Sequence, residues 1–187
     1  ILFTEKLITS NNFTVLDLYA VAVSCGPCYD ACLRIGVSTA KGICFALDKP
    51  LIAIETLEAM AYGVINNDAI VIDKNTLLCP MIDARRMEVY CAVFNANGNK
   101  IRNTAAEIID EHSFADLLND NQVLFFGDGA DKCEAVLGTN PNARFLRGFE
   151  NSATYLTQKA AEKFAENDFE NVAYFEPYYL KDFIAGV

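Results

Sequence analysis

At 187 residues and 52% apolar, the chain is long enough for one large domain or two smaller lobes around a real core, which excludes a disordered segment. A net charge of −10, with no basic run or stripe, excludes a surface that grips nucleic acid by itself, because phosphate contacts need Lys and Arg; solubility is the plain reading of that charge. No run of 18 apolar residues offers a helical membrane span, and seven cysteines, an odd number, with no basic–apolar leader set the expectation of a reducing cytoplasm.

The chain opens on ILFTEKLITSNN, where Leu2, Phe3, Leu7 and Ile8 have helical spacing. This start reads as the middle or end of an element, with more sequence expected upstream. Residues 16–23, LDLYAVAV, read as a buried strand. A turn with Cys25, Cys28 and Cys32 follows, and then a helix from Cys32 to Leu47. KPLIAI is a short strand behind the Pro50 break, and ETLEAMAYGVI is a helix begun by acidic residues near its positive end. Strand–helix–strand–helix is an α/β signature.

From about residue 69 the rhythm changes. Turn residues at Asp73–Asn75 and Asn97–Gly98 divide a strand-rich stretch into an expected three-stranded antiparallel meander. Alternation then returns, with a helix near 113–119, a strand at 122–126, the turn GDGAD, a helix at 131–137, a strand at 143–146 and a helix from Ser152 to about Glu166. The second part is three strands followed by alternating helices and strands, and the first looks like the same unit without its opening strands. The expectation is therefore an α/β fold of two ribonuclease-H-like lobes of the actin/Hsp70/sugar-kinase type. Residues 1–72 form the N-terminal lobe, lacking its first strands, and residues 73–187 form the C-terminal lobe.

Between Cys32 and Leu47 the only charges are Arg34 and Lys41. Leu33, Val37, Ala40, Cys44 and Leu47 form one stripe, while Gly36, Thr39, Ile43 and Ala46 cover another face with mostly small residues. A helix apolar nearly all round is expected to be buried all round, one face on its own sheet and the small-residue face against a second helix.

Other chemical signals are weaker. Cys25, Cys28 and Cys32 could seat a metal or a redox pair, but no fourth ligand is close and the only histidine is His112. His112 lies in DEHSF beside Ser113, a helix-capping type, and reads as a surface residue; nothing marks a nucleophile for it to activate. The turn Gly127–Asp131 follows a strand and opens a helix, where backbone N–H groups could hold a phosphate, but Asp128 and Asp131 would repel one, so a plain turn is expected. Arg85 and Arg86 stand beside Asp83 and Glu88, either as paired surface charges or as a clamp for a phosphate or a carboxylate.

With turn and helix in view, the chain resembles the TsaB (YeaZ) family, bacterial proteins needed to make threonylcarbamoyladenosine in tRNA. The match lies in LRIGVSTAKG (Leu33–Gly42), in ALDKPLIAIETLEAMA, in IDARRMEVY (Ile82–Tyr90) and in the tail FEPYYLKDF. The family's turn has glycine where this chain has Cys28 and Cys32, so those cysteines read as a degenerate glycine turn, strained and differently built, with no metal. The resemblance implies a non-catalytic scaffold subunit that dimerises with its paralogue TsaD. TsaD transfers the threonylcarbamoyl group to the adenosine beside the anticodon of ANN-reading tRNAs, and the ATPase TsaE works on the same complex. It further implies a homodimer in isolation, only indirect contact with tRNA, no membrane, no protease activity, and no cofactor of its own beyond ATP or ADP at the interface with TsaD. Partner-interface residues would be Leu33, Arg34, Gly36, Val37, Thr39, Ala40, Lys41 and Cys44, with Gly26, Pro27, Arg85 and Arg86 as ligand or partner contacts. The rivals are an ATP-binding kinase or ATPase of the same superfold, which needs a phosphate hairpin and acidic Mg²⁺ ligands, and a Cys-cluster metal or redox protein.

Overall fold

The computed structural model describes residues 2–28 and 30–180, without the side chains of Leu2, Phe3 and Asp30. Tyr29 and the tail residues from Lys181 onward, which carry the end of the FEPYYLKDF motif, lie outside the described residues. In chain order the elements are α1 (Leu2–Ser10), β1 (Val21–Ser24), α2 (Asp30–Leu47), β2 (Leu51–Ile54), α3 (Thr56–Ile65), β3 (Leu77–Asp83), β4 (Glu88–Phe94), β5 (Lys100–Ile108), α4 (Ala115–Leu118), β6 (Val123–Phe126), α5 (Ala130–Leu137), β7 (Ala143–Leu146) and α6 (Thr157–Glu166).

Two sheets organise them. β1 and β2 pair in parallel, Val21 opposite Leu51, and the second sheet runs β5-β4-β3-β6-β7. Its β3-β4-β5 portion is the antiparallel meander expected from the sequence, and β3, β6 and β7 are parallel. Strand alternation divides its core into two faces. Val123 and Phe125 pack with Met81, Cys91, Phe114 and Leu137 beneath α4 and α5, while Leu124 and Phe126 pack with Ile82 and Phe94 beneath α3.

The expected strand at 16–23 is shorter, because β2 offers partners only for Val21–Ser24. Val15–Asp17 instead forms a 3-10 turn, and Leu16 and Tyr19 are 75% and 80% exposed. The helix buried all round is α3, not α2. Leu57, Met60, Ala61 and Val64 face the five-stranded sheet, and Ala59 packs with Ile52 and Ile54 on the other sheet. α2 has only one sheet to cover, so it buries one stripe. No helix among the described residues is long and apolar enough to cross a membrane.

Candidate partner-binding face

α2 divides as its periodicity dictates. Leu33, Val37, Ala40 and Cys44 are buried, with Ala40 and Cys44 clustered against Leu51, Val21, Val23, Val172 and Phe175. These four were expected at a partner interface; they face their own lobe and are unavailable to one. The opposite face is open. Ile35 and Phe45 are 69% and 86% exposed, and a Cβ on Gly36 or Gly42 would meet nothing within 4 Å. Thr39 is half-buried at the edge of this face. The outward surface is thus apolar and locally bare of side chains, which lets a second helix approach closely.

α1 extends that surface. Thr4, Glu5 and Ile8, with Val15 and Leu18 after it, line a groove of about 700 Å³ against Ser38, Thr39, Gly42, Ile43, Ala46 and Leu47 of α2. Leu7 of α1 and Phe13 and Leu16 after it are 60–75% exposed. A mostly apolar groove open to solvent is the kind of surface that interaction sites use. Of the α1 residues expected to join the interface, Leu7 is exposed, whereas the side chains of Leu2 and Phe3 lie outside the described residues.

The two basic residues of α2 tie down the C-terminal tail instead. Lys41 Nζ donates to the carbonyl of Phe175 at 2.7 Å, and the Arg34 guanidinium lies 5.5 Å from the centre of the Tyr179 ring. The tail crosses the sheet edge, where Glu170 N donates to Leu51 O at 2.8 Å, and reaches the cysteine turn, where Tyr178 N donates to Cys25 O at 2.7 Å. Sequence reasoning missed this clamp because residues 171–179 have no periodicity.

The turn is a closed structure. Cys25, Gly26 and Pro27 are buried, the Gly26–Pro27 peptide is cis, and Gly26 has φ +117°. A Cβ there would lie 2.6 Å from Tyr178 O, so only glycine fits beneath the tail. Gly26 O accepts from Thr56 N at 2.9 Å, and Ser24 Oγ shares a 2.6 Å hydrogen bond with Thr56 Oγ1. Gly26 and Pro27 are therefore packing residues, enclosed rather than offered to a ligand. Cys32 sits exposed in the first turn of α2, where helical backbone accepts any L-residue, so the strain expected at this position is absent. Burial, reinforced by Glu55, pushes the Cys25 thiol up to about 11. None of the seven cysteines is in a disulfide, and no group of three or more His, Cys, Asp or Glu side chains placed to hold a metal ion occurs among the described residues.

The remaining candidates are separate from this face. Gly127 and Gly129 pack on the β3 backbone, where added Cβ atoms would collide with the Met81 carbonyl and, at 2.8 Å, with Ile82 C. Asp128 Oδ1 accepts from Asp83 N at 3.1 Å, and Lys132 pairs with Asp83 and donates to Glu88 O at 2.7 Å. The GDGAD turn is thus filled by protein contacts. Arg85 and Arg86 are exposed at left-handed φ of 70° and 49° in the β3–β4 turn, on different elements from α2. His112 is exposed with its backbone N donating to Asp110 Oδ1 at 2.9 Å. Ser113 Oγ accepts from Asp110 N at 2.9 Å, so it caps that turn rather than the helix.

A family model described as TsaD, tRNA N6-adenosine threonylcarbamoyltransferase, matches residues 2–184. The chain belongs to this family. Among individual members it is similar to the tRNA threonylcarbamoyladenosine biosynthesis protein TsaB of Bacillus subtilis, 30% identical over 144 residues, 72% of this chain and 59% of that protein. It is also similar to TsaB of Escherichia coli K12, 30% identical over 97 residues, 52% of this chain and 40% of that protein. The chain thus spans roughly half the length of these TsaB relatives. A Pseudomonas aeruginosa crystal structure, described as an uncharacterized protein with similarity to peptidase YEAZ, superposes with a TM-score of 0.80 over 95% of this chain and 81% of that one, at 20% identity. The α/β fold of the actin/Hsp70/sugar-kinase type expected from the sequence and the TsaB (YeaZ) resemblance both stand on these matches.

Proposed function

We propose that this chain is a TsaB-type subunit in the synthesis of threonylcarbamoyladenosine on tRNA. It performs no chemistry itself and pairs with a TsaD-type paralogue through the outward face of α2 and the α1–α2 groove. The observation that carries the reading is the α1–α2 groove, lined by Ile8, Val15 and Leu18 against Gly42, Ile43, Ala46 and Leu47, with Ile35 and Phe45 exposed on the same helix α2. Without the paralogue the same surface would pair two copies of this chain. A net charge of −10 leaves tRNA contact to the partner. The ATPase TsaE would act on the assembled complex, any ATP or ADP would sit at the interface with TsaD, and the setting would be the cytoplasm.

Reconstitution tests the role. A TsaD-type transferase, threonylcarbamoyl adenylate and an ANN-reading tRNA are incubated with and without this protein, and the modified nucleoside is measured by mass spectrometry. This protein alone should yield none and should raise the transferase's output. Product formed by this protein alone, or an output it leaves unchanged, would refute the reading.

A further inference from the structure

We propose that the tail segment 170–179 is a latch that holds α2 in its partner-binding position, with Lys41 as the positioning residue that fastens it. The effect on pairing rests on the reading of α2 as the partner-binding helix; the effect on α2 itself does not.

Little else seats this helix. α2 lies on a sheet of only two short strands, and the cluster beneath it has three buried members, Ala40, Cys44 and Leu51. Val172 and Phe175 of the tail complete that cluster beside Val21 and Val23. Two strands alone give a helix a marginal platform, so the tail supplies part of the seat.

The fastenings are few and polar. Lys41 Nζ donates to Ala173 O at 3.4 Å as well as to Phe175 O, and it forms no ion pair among the described residues, so tail carbonyls are what its ammonium meets. The other ties are the Glu170 and Tyr178 backbone hydrogen bonds and the Arg34–Tyr179 contact. No residue from Asn171 to Tyr179 is fully buried. A segment held at the surface by a few such contacts opens without unfolding the core. The latch also borders the outward face, because Gly42 and Phe45 share a groove of about 670 Å³ with Asn171, Val172 and Ala173. Opening it leaves α2 with the same side chains but no fixed place, and a partner must then order the helix as it binds.

The test compares the full chain with its Lys41→Met and Gly26→Ala variants by amide hydrogen exchange and by titration with a TsaD-type partner. Gly26 is buried beneath Tyr178 and out of a partner's reach, so an effect there travels through the latch. In the wild type, α2 amides from Val37 to Cys44 should exchange ahead of those in β3 and β6, because the latch opens before the core. Both variants should speed α2 exchange by about tenfold or more and raise the partner's Kd by about tenfold. Lys41→Arg, which keeps a cationic donor, should stay near wild type in both readouts. Exchange of α2 and the core strands at one rate, α2 exchange unchanged in both variants, or unchanged partner affinity in a variant whose α2 has loosened would overturn the proposal. If the wild type binds no partner, the proposed function falls, and the exchange rates decide the latch by themselves.

Discussion

Replacing Gly26 by alanine tests how the tail is locked onto the cysteine turn. Gly26 has φ +117°, and the new Cβ would lie 2.6 Å from Tyr178 O and 3.3 Å from Leu33 Cδ2. Holding an alanine in that backbone region costs on the order of 1–3 kcal/mol. The Tyr178 contact is backbone, so the tail itself must shift, which endangers the Tyr178 N to Cys25 O hydrogen bond, worth about 0.5–1.5 kcal/mol. Together these predict a loss of about 2–4 kcal/mol. Urea unfolding followed by circular dichroism should show it as a lower midpoint at unchanged slope. The control is Gly36→Ala, in mid-helix with nothing within 4 Å of its Cβ, which should stabilise the isolated chain by roughly 0.5–1 kcal/mol. A Gly26→Ala variant within ~0.5 kcal/mol of wild type would refute the reasoning, because that is the range of a surface substitution.

Three further predictions follow from the same packing. Val37→Glu places a charge at a position 2% exposed and should unfold the chain, whereas Ile35→Glu, two residues earlier at 69% exposure, should leave the circular dichroism and melting curve unchanged. The Lys132 ammonium beside Asp83 holds its carboxyl below the usual 3.8. A depressed folded-state value contributes stability above 3.8 and loses it as pH falls through the lower value, so acid unfolding of Lys132→Met should be shallower than that of wild type over that interval. Iodoacetamide at pH 8 should label exposed Cys32 in the native state, while Cys25, its thiol pushed up to about 11, and fully buried Cys79 should react only after unfolding; native labelling at Cys25 would contradict the closed turn.

Local pattern carried much of the fold. The strands from Leu77 to Phe94, the turn at Asn97–Gly98 and the alternation from β6 to α6 stand where period and turn chemistry place them. The two stripes of α2 were also legible, since Leu33, Val37, Ala40 and Cys44 repeat at helical spacing. Which stripe faces outward was not, because that depends on where the sheet lies and on a tail far along the chain. The same ignorance of tertiary partners gave α2 the all-round burial that belongs to α3, which alone lies between two sheets. Leu16 and Tyr19 have strand-like residue types but no strand beside them, so propensity without a ladder did not make a strand.

In the proposed assembly the outward face of α2 meets a TsaD-type partner. Purified protein mixed with that partner and sized by light scattering tests it most directly. A one-to-one heterodimer is expected, lost in Ile35→Glu and Phe45→Glu and retained in Lys132→Met, whose site lies on the other sheet. Failure of the wild type to form the complex, or its persistence when both Ile35 and Phe45 carry glutamate, would contradict the account.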